Sequence, residues 1–144
     1  TTLLVNIDDL VSSATEEDII GEDGVGSAYL TRITTAVNGV VYKAEMACIE
    51  DPAGSNACAD IDLVANTAAL AEDAAYDSSG NATMLIKKSG NWEAGMFMQT
   101  SGSLDTADLP NAYIYLANGG ATGGQGTYTA GKFIIKFYGA SFGS

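Results

Sequence analysis

Histidine is absent from this 144-residue chain, and only six residues are Lys or Arg. The absence of histidine removes the commonest general base and the commonest transition-metal ligand. The 18 acidic residues give a net charge of −12, which repels nucleic acid and anionic membranes because both are bound through Lys and Arg. No apolar run approaches the ~20 residues of a membrane helix. We therefore expect a non-enzymatic protein with no cofactor and with neither a nucleic acid nor a membrane as partner.

The chain is predicted to form one all-β domain over residues 1–144. It is long enough to bury a core, and no internal repeat or change of composition divides it. About eight short strand-like segments with glycine-rich turns indicate an antiparallel β-sandwich or a jelly-roll-like barrel. The capping-box spacing of Ser13–Glu16 predicts a short helix ending near Gly21, and the alanine-rich stretch 66–75 is either a second helix or an irregular crossover. Residues 1–7 are expected to form an edge strand or an arm.

The strongest strand pattern lies near the end of the sequence, at residues 127–139. Side chains alternate between the two faces of a strand, and one face is large and apolar, with Phe133, Ile135 and Phe137. The other face carries Lys132, Ile134, Lys136 and Tyr138. A second strand at 111–117 precedes it, and the connection 118–126 is too glycine-rich for regular structure. We expect the two strands to pair antiparallel and the first face to enter the core.

The pair Asn38-Gly39 predicts a two-residue hairpin turn between strands at 28–37 and 40–50. In that register Val37 lies opposite Val40, and Arg32 lies opposite Glu45 as an exposed ion pair. A second hairpin is expected around residues 89–91, joining strands at 82–88 and 92–100.

The two cysteines flank a turn that begins at Asp51-Pro52. A hairpin centred on Ala53 would set Cys48 opposite Cys58, where a disulfide could form. A register shifted by one residue gives a better apolar face and separates the two sulfurs, so a disulfide and two buried thiols are both open. With no histidine and no further cysteine, a zinc site is not expected.

Asp60 and Asp62 stand two residues apart and therefore share one strand face. Clustered carboxylates at loop ends can hold Ca²⁺, which makes these two residues candidate calcium ligands. The spacing of an EF-hand loop is missing, and a solvated acidic edge is the alternative.

Four tyrosines cluster in the strands of the C-terminal third of the chain. Tyrosine combines apolar area with a polar tip, a combination suited to subunit contacts. The candidates for an interface are Tyr113, Tyr115, Tyr128 and Tyr138. A sugar-binding face is the alternative use of the same side chains.

The segments Tyr113-Ile-Tyr-Leu116 and Gly126–Gly139, with the Gly/Ala/Thr-rich linker between them, resemble the ends of small virion structural proteins of tailed bacteriophages. The resemblance is to the capsid decoration, or cement, type and covers about the last quarter of the chain. It implies a β-rich subunit, often a trimer, that binds the major capsid protein on the outer surface of the capsid after synthesis in the host cytoplasm. It carries over no catalytic residue.

Two other functions fit the same sequence. A tail-tube or other self-assembling structural subunit is also small and β-rich. A secreted adhesin or carbohydrate-binding module would use the tyrosines to bind glycans.

Overall fold

The computed structural model describes residues 1–102, 104–121 and 124–141, and these are mostly strands and turns. Part of the glycine-rich connection (residues 122 and 123) and residues 142–144 of the expected domain lie outside this description. The strands are β1 Thr2–Asn6, β2 Val11–Ser12, β3 Ile19–Ile20, β4 Thr31–Arg32, β5 Val40–Ala53, β6 Ile61–Asn66, β7 Ala82–Ile86, β8 Phe97–Gln99, β9 Tyr113–Asn118, β10 Gly126–Thr127 and β11 Ala130–Ala140. A single-turn helix, α1 Thr35–Asn38, and a 3₁₀ turn at Thr106–Asp108 complete the elements.

Two antiparallel sheets face each other. The first has the strand order β1-β11-β5-β8, and the second has the order β3-β9-β6-β7 with β4 also paired to β9. A small ladder joins β2 to β10. The predicted fold class, an all-β antiparallel sandwich, is confirmed.

The main core lies between the two sheets and is organised by the predicted alternation of β11. Phe133, Ile135 and Phe137 are at most 4 % exposed, which confirms that this face enters the core. Trp92 packs edge-on against Phe133, with ring centroids 5.5 Å apart. Its indole nitrogen donates to the Ile61 carbonyl at 2.8 Å, so the buried polar atom of Trp92 is satisfied.

The central strands of the second sheet, β6 and β9, are buried on both faces apart from the partly exposed Tyr113. All six residues of β6 are buried, because a second apolar cluster covers the side of the sheet that faces away from the main core. Leu70 and the turns around it supply that cover, and the Tyr115 hydroxyl fixes them by accepting from the Leu70 amide at 2.7 Å and donating to the Ala68 carbonyl at 2.9 Å. A strand covered on both sides is expected to be apolar throughout rather than alternating.

The prediction of a hairpin at Asn38-Gly39 is wrong. Residues Thr35–Asn38 form the helix α1, whose amino end is capped by the Thr34 hydroxyl accepting from the Val37 amide at 3.3 Å. Gly39 ends the helix with φ of 66°, and a Cβ there would lie 2.6 Å from the Ala140 carbonyl oxygen. Glycine readily adopts the positive φ that a two-residue hairpin turn needs, but here Gly39 uses that conformation to end a helical turn.

Strand β5 pairs with β11 rather than with residues 28–37. Ten residues of β11 pair with β5, and Glu45 lies opposite Lys136, not opposite Arg32. This ladder closes the first sheet over Phe133, Ile135 and Phe137. The two-residue strand β4 offers no comparable apolar face, so the long-range pairing wins over the local one.

Three other local predictions are wrong for a related reason. Residues 13–20 contain β3 rather than a helix, and the segments at 82–88 and 92–100 pair with β6 and β5 instead of with each other. Strands β9 and β11 belong to different sheets. The chain repeatedly crosses from one sheet to the other, so neighbours in sequence are seldom neighbours in a ladder.

The amino-terminal segment is an edge strand. β1 pairs in register with β11 from Thr2 opposite Lys136 to Asn6 opposite Lys132. The inward side chain of Val5 is buried, as is that of Ile7 just after the strand. The sequence left residues 1–7 as either an arm or an edge strand, and the structure shows the edge strand.

Replacing Phe137 by Ala should lower the free energy of unfolding by about 3–5 kcal/mol, because it empties a ring-sized space between the sheets. Val37→Ala, at a residue 79 % exposed on α1, is the control and should change it by less than about 0.5 kcal/mol. Denaturant titration measures both values. A Phe137→Ala cost below about 1 kcal/mol would contradict the assigned faces.

A candidate contact surface on the four-stranded sheet

One row of apolar side chains crosses the outer face of the first sheet. Leu4 of β1 lies opposite Ile134 of β11, Ile134 opposite Ala47 of β5, and Ala47 opposite Phe97 of β8. Ile49 joins the row from β5, at a register shift between β5 and β11. We call these five residues the apolar row. Leu4, Ile49 and Phe97 are 80 %, 53 % and 55 % exposed, so most of their apolar area faces solvent.

The row contains an open depression at its β1 end. The depression has a volume of about 260 Å³ and is lined by Leu4, Ile49, Phe133 and Ile134 among others. The register shift leaves Ile49 without a direct partner in β11, between the pairs Phe133–Cys48 and Lys132–Glu50. A protruding apolar side chain of another molecule could enter the depression.

Charged rows border the apolar row on both sides. Lys132 pairs with Glu50 at 2.9 Å on one side, and Lys43 pairs with Glu45 at 2.9 Å on the other, where Lys136 also lies opposite Glu45. These rows hold three lysines against two glutamates, in a chain of net charge −12 with six bases in all. The outer face of the first sheet is therefore far less negative than the molecule as a whole.

A small hydrogen-bonded network fixes one of these rows. The Tyr138 hydroxyl donates to Glu45 Oε2 at 2.8 Å, and Lys43 Nζ lies 4.9 Å from the centre of the Tyr138 ring. The Lys43 ammonium and the Tyr138 hydroxyl hold the pKa of Glu45 below its ordinary value. The same contact with Glu45 raises the pKa of Lys43 and that of Tyr138.

The tyrosine candidates divide into two pairs. Tyr138 and Tyr113 are partly exposed, and Arg32 lies over the Tyr113 ring at 4.8 Å. Tyr115 and Tyr128 have no exposed area, so these two cannot line an interface, and for them the expectation is corrected. The Tyr128 hydroxyl donates to the Cys58 carbonyl, and burial raises its pKa.

The two cysteines are free, buried thiols. Cys48 donates to the Glu50 carbonyl at 3.3 Å, and Cys58 donates to the Asp60 carbonyl at 3.0 Å. Of the two alternatives left by the sequence, the structure has thiols, because the turn after β5 carries the chain to the other sheet instead of back along β5. Burial raises the pKa of both thiols, which favours their protonated form.

The aspartates proposed as calcium ligands anchor a loop. Asp62 Oδ1 accepts from the Lys88 amide at 2.8 Å, and Asp60 Oδ2 accepts from the Gly90 amide at 2.8 Å. Lys87 Nζ lies 3.6 Å from Asp62 Oδ2, where a cation would otherwise be drawn. Burial raises the pKa of Asp62. In the part of the chain that the structure describes, no group of three or more acidic, Cys or His side chains could hold a metal ion.

Sequence reasoning found only part of the apolar row. The alternation of β11 placed Ile134 beside Lys132 and Lys136 on the outer face. Leu4, Ile49 and Phe97 were missed, because their strands pair across long sequence separations. The usable signal was the set of large apolar residues at the outward positions of three separate strands.

The comparisons with known proteins returned no family model, no curated protein and no solved structure similar to this chain. Across the described residues no helix is long and apolar enough to span a membrane.

Replacing Tyr138 by Phe should raise the pKa of Glu45, because the ionised carboxylate loses one hydrogen-bond donor. The pKa should stay below the ordinary glutamate value, since Lys43 remains and is the larger cause. Carbon-detected NMR titration of the glutamates measures it, with Tyr113→Phe as the control. An unchanged Glu45 pKa in Tyr138→Phe would show that the hydroxyl does not bind this carboxylate in solution.

Proposed function

We propose that this protein is a non-enzymatic virion subunit of the capsid decoration type, which binds the outside of a phage head through the apolar row. The observation that carries the proposal is the bare outer face of the first sheet. The chain covers the outer face of its second sheet with its own turns, yet it leaves Leu4, Ile49 and Phe97 exposed on the first. A contiguous apolar patch bordered by polar residues is typical of a protein–protein contact site.

The distribution of charge supports the same orientation. Acidic residues crowd the connections, for example Asp8-Asp9, Glu16-Glu17-Asp18 and Glu22-Asp23, whereas three of the six bases border the apolar row. A subunit that approaches a shell with its least negative face keeps its acidic loops outward. Those loops repel other subunits and the packaged genome, which favours the exterior of a head over its lumen.

The area of the outer face of the first sheet limits the affinity with which a single copy can bind a partner. Four strands spaced about 4.8 Å apart, over seven residues of about 3.4 Å each, present roughly 450 Å². A stable interface buries about 800 Å² per partner, so a single copy of this face would bind weakly. Firm attachment would therefore require several copies linked together, and linked copies gain through effective concentration. A decoration protein that is a homo-oligomer meets this requirement.

A self-assembling subunit of a tail tube is the second candidate. One observation favours it: the first sheet ends in a strand, β1, whose outer edge carries no neighbouring strand among the described residues. Subunits of this kind assemble by themselves, whereas a decoration subunit requires a preformed shell.

Ile49→Lys should weaken binding to heads built from the major capsid protein of the same phage by at least about tenfold, because it places a charge in the centre of the apolar row. Val37→Lys adds the same charge at a residue 79 % exposed on α1, outside the row, and should bind as the unmodified chain does. Co-sedimentation with heads that lack decoration measures the affinities.

Three outcomes would contradict this proposal. If both variants bound equally well, the apolar row would not be the contact. If the purified protein formed tubes by itself in electron micrographs, the tail subunit would replace the decoration subunit. Binding of glycans by the isolated chain, with no affinity for heads, would identify a carbohydrate-binding module.

A further inference from the structure

No strand within residues 1–102, 104–121 and 124–141 pairs with the outer edge of β1. β1 is the terminal strand of the first sheet, with β11 on its inner side. The nitrogen and carbonyl of Thr1 bond to Phe137 at 3.1 and 2.8 Å, and the Ile7 amide bonds to the Gly131 carbonyl at 3.0 Å. Backbone groups alternate in direction along a strand, so the odd-numbered residues bond to β11. The N–H and C=O groups of Thr2, Leu4 and Asn6 therefore point away from the sheet.

This edge lacks the features that normally prevent strand pairing. The sequence Thr2-Leu-Leu-Val-Asn6 contains no charge, proline or glycine, and its pairing with β11 has no register shift. Natural edges are usually blunted by lysine, proline, a bulge or a very short strand. The opposite edge of the same sheet, β8, has only three residues. In a chain of net charge −12, β1 is a five-residue neutral edge.

We propose that β1 pairs antiparallel with β1 of a second copy, about a two-fold axis that passes between the two Leu4 residues. Leu4 then faces Leu4 of the other copy, and Thr2 faces Asn6, so the edge is complementary to itself. The three outward residues of each strand supply about six interchain hydrogen bonds. Leu4, the most exposed large apolar side chain among the described residues, gains an apolar neighbour.

The pairing also joins the two apolar rows. In each copy the row runs Phe97, Ala47, Ile134, Leu4, so the dimer carries one row across eight strands, about 34 Å long. The contact area available to a partner doubles. This inference stands without the proposed function, because it rests on the edge alone, but it would supply the linked copies that weak attachment requires.

Electrostatic repulsion between two negatively charged molecules opposes the dimer, but the paired strands themselves carry no charge. β1 itself is uncharged, whereas two molecules of net charge −12 repel each other. Screening by salt weakens this repulsion far more than it weakens backbone hydrogen bonds. The dimer fraction should therefore rise as sodium chloride increases from about 0.05 to about 0.5 M.

The first experiment measures the mass of the full chain by sedimentation equilibrium over a range of concentrations and salt. The expected mass at high concentration is twice the 14.8 kDa of one chain. Leu4→Lys places two ammonium groups face to face and should raise the dimer dissociation constant at least about tenfold. Phe97→Lys, on the opposite edge of the sheet, should leave the dimer unchanged while weakening attachment to heads.

The second experiment tests the register by oxidative cross-linking. Leu4→Cys should form a disulfide-linked dimer, because residues directly opposite in a bonded pair have Cα atoms about 5.5 Å apart. Thr2→Cys alone should not, since the two Thr2 positions lie about 13 Å apart along the strands. A mixture of Thr2→Cys and Asn6→Cys should cross-link. The unmodified chain, whose cysteines are buried, is the background control.

A monomeric mass at all concentrations and salts would overturn the inference, as would cross-linking of Thr2→Cys with itself. A trimer, which the phage resemblance implies, would also overturn it, because a two-fold edge pairing closes with two copies. Loss of head binding in Phe97→Lys with an intact dimer would support the edge and the contact surface separately. A dimer that fails to bind any head would leave the edge pairing intact and remove the proposed function.

Discussion

The ladder between β5 and β11 is the interaction on which the rest of the structure depends. It joins ten residues of β11 to the longest strand of the chain and carries Phe133, Ile135 and Phe137 into the core. Because side chains alternate along a strand, burying that set forces Ile134 and its two lysine neighbours outward. The core and the candidate contact surface are thus two consequences of one register. A slip by a single residue would exchange them.

The two sheets differ in what covers their outer faces, and this difference carries the functional argument. Turns around Leu70 fold over the second sheet, held by the Tyr115 hydroxyl. No equivalent segment among the described residues covers the apolar row. Burial of apolar area is favourable by about 25 cal/mol per Å², and the exposed side chains of the apolar row lack this stabilisation. The same chain buries such area elsewhere, and the proposal of a partner for the bare face rests on this difference.

The acidic residues fall into groups that differ in burial and in hydrogen-bond or ion-pair partner. Asp62 is buried, with Lys87 beside it. Its carboxylate accepts a hydrogen bond from the Lys88 amide and so anchors the loop that follows β7. Glu45 and Glu50 lie beside the apolar row, each paired with a lysine. Most of the remaining acids stand in the connections and give the molecule its strong negative charge, although Asp51 lies in β5 and Asp18 is buried. Carboxylates that looked alike in the sequence therefore have three different roles.

The sequence by itself determined the all-β fold class, the buried face of β11 and the outward position of Lys132 and Lys136 on its other face. These properties follow from the two-residue period of a strand, which is local. Only the tertiary structure decided which strands pair, that Asn38-Gly39 ends a helical turn, that the cysteines lie apart, and that Leu4, Ile49 and Phe97 form one row with Ile134. Those outcomes depend on pairings across many tens of residues, where total buried area overrides the preference of a local turn.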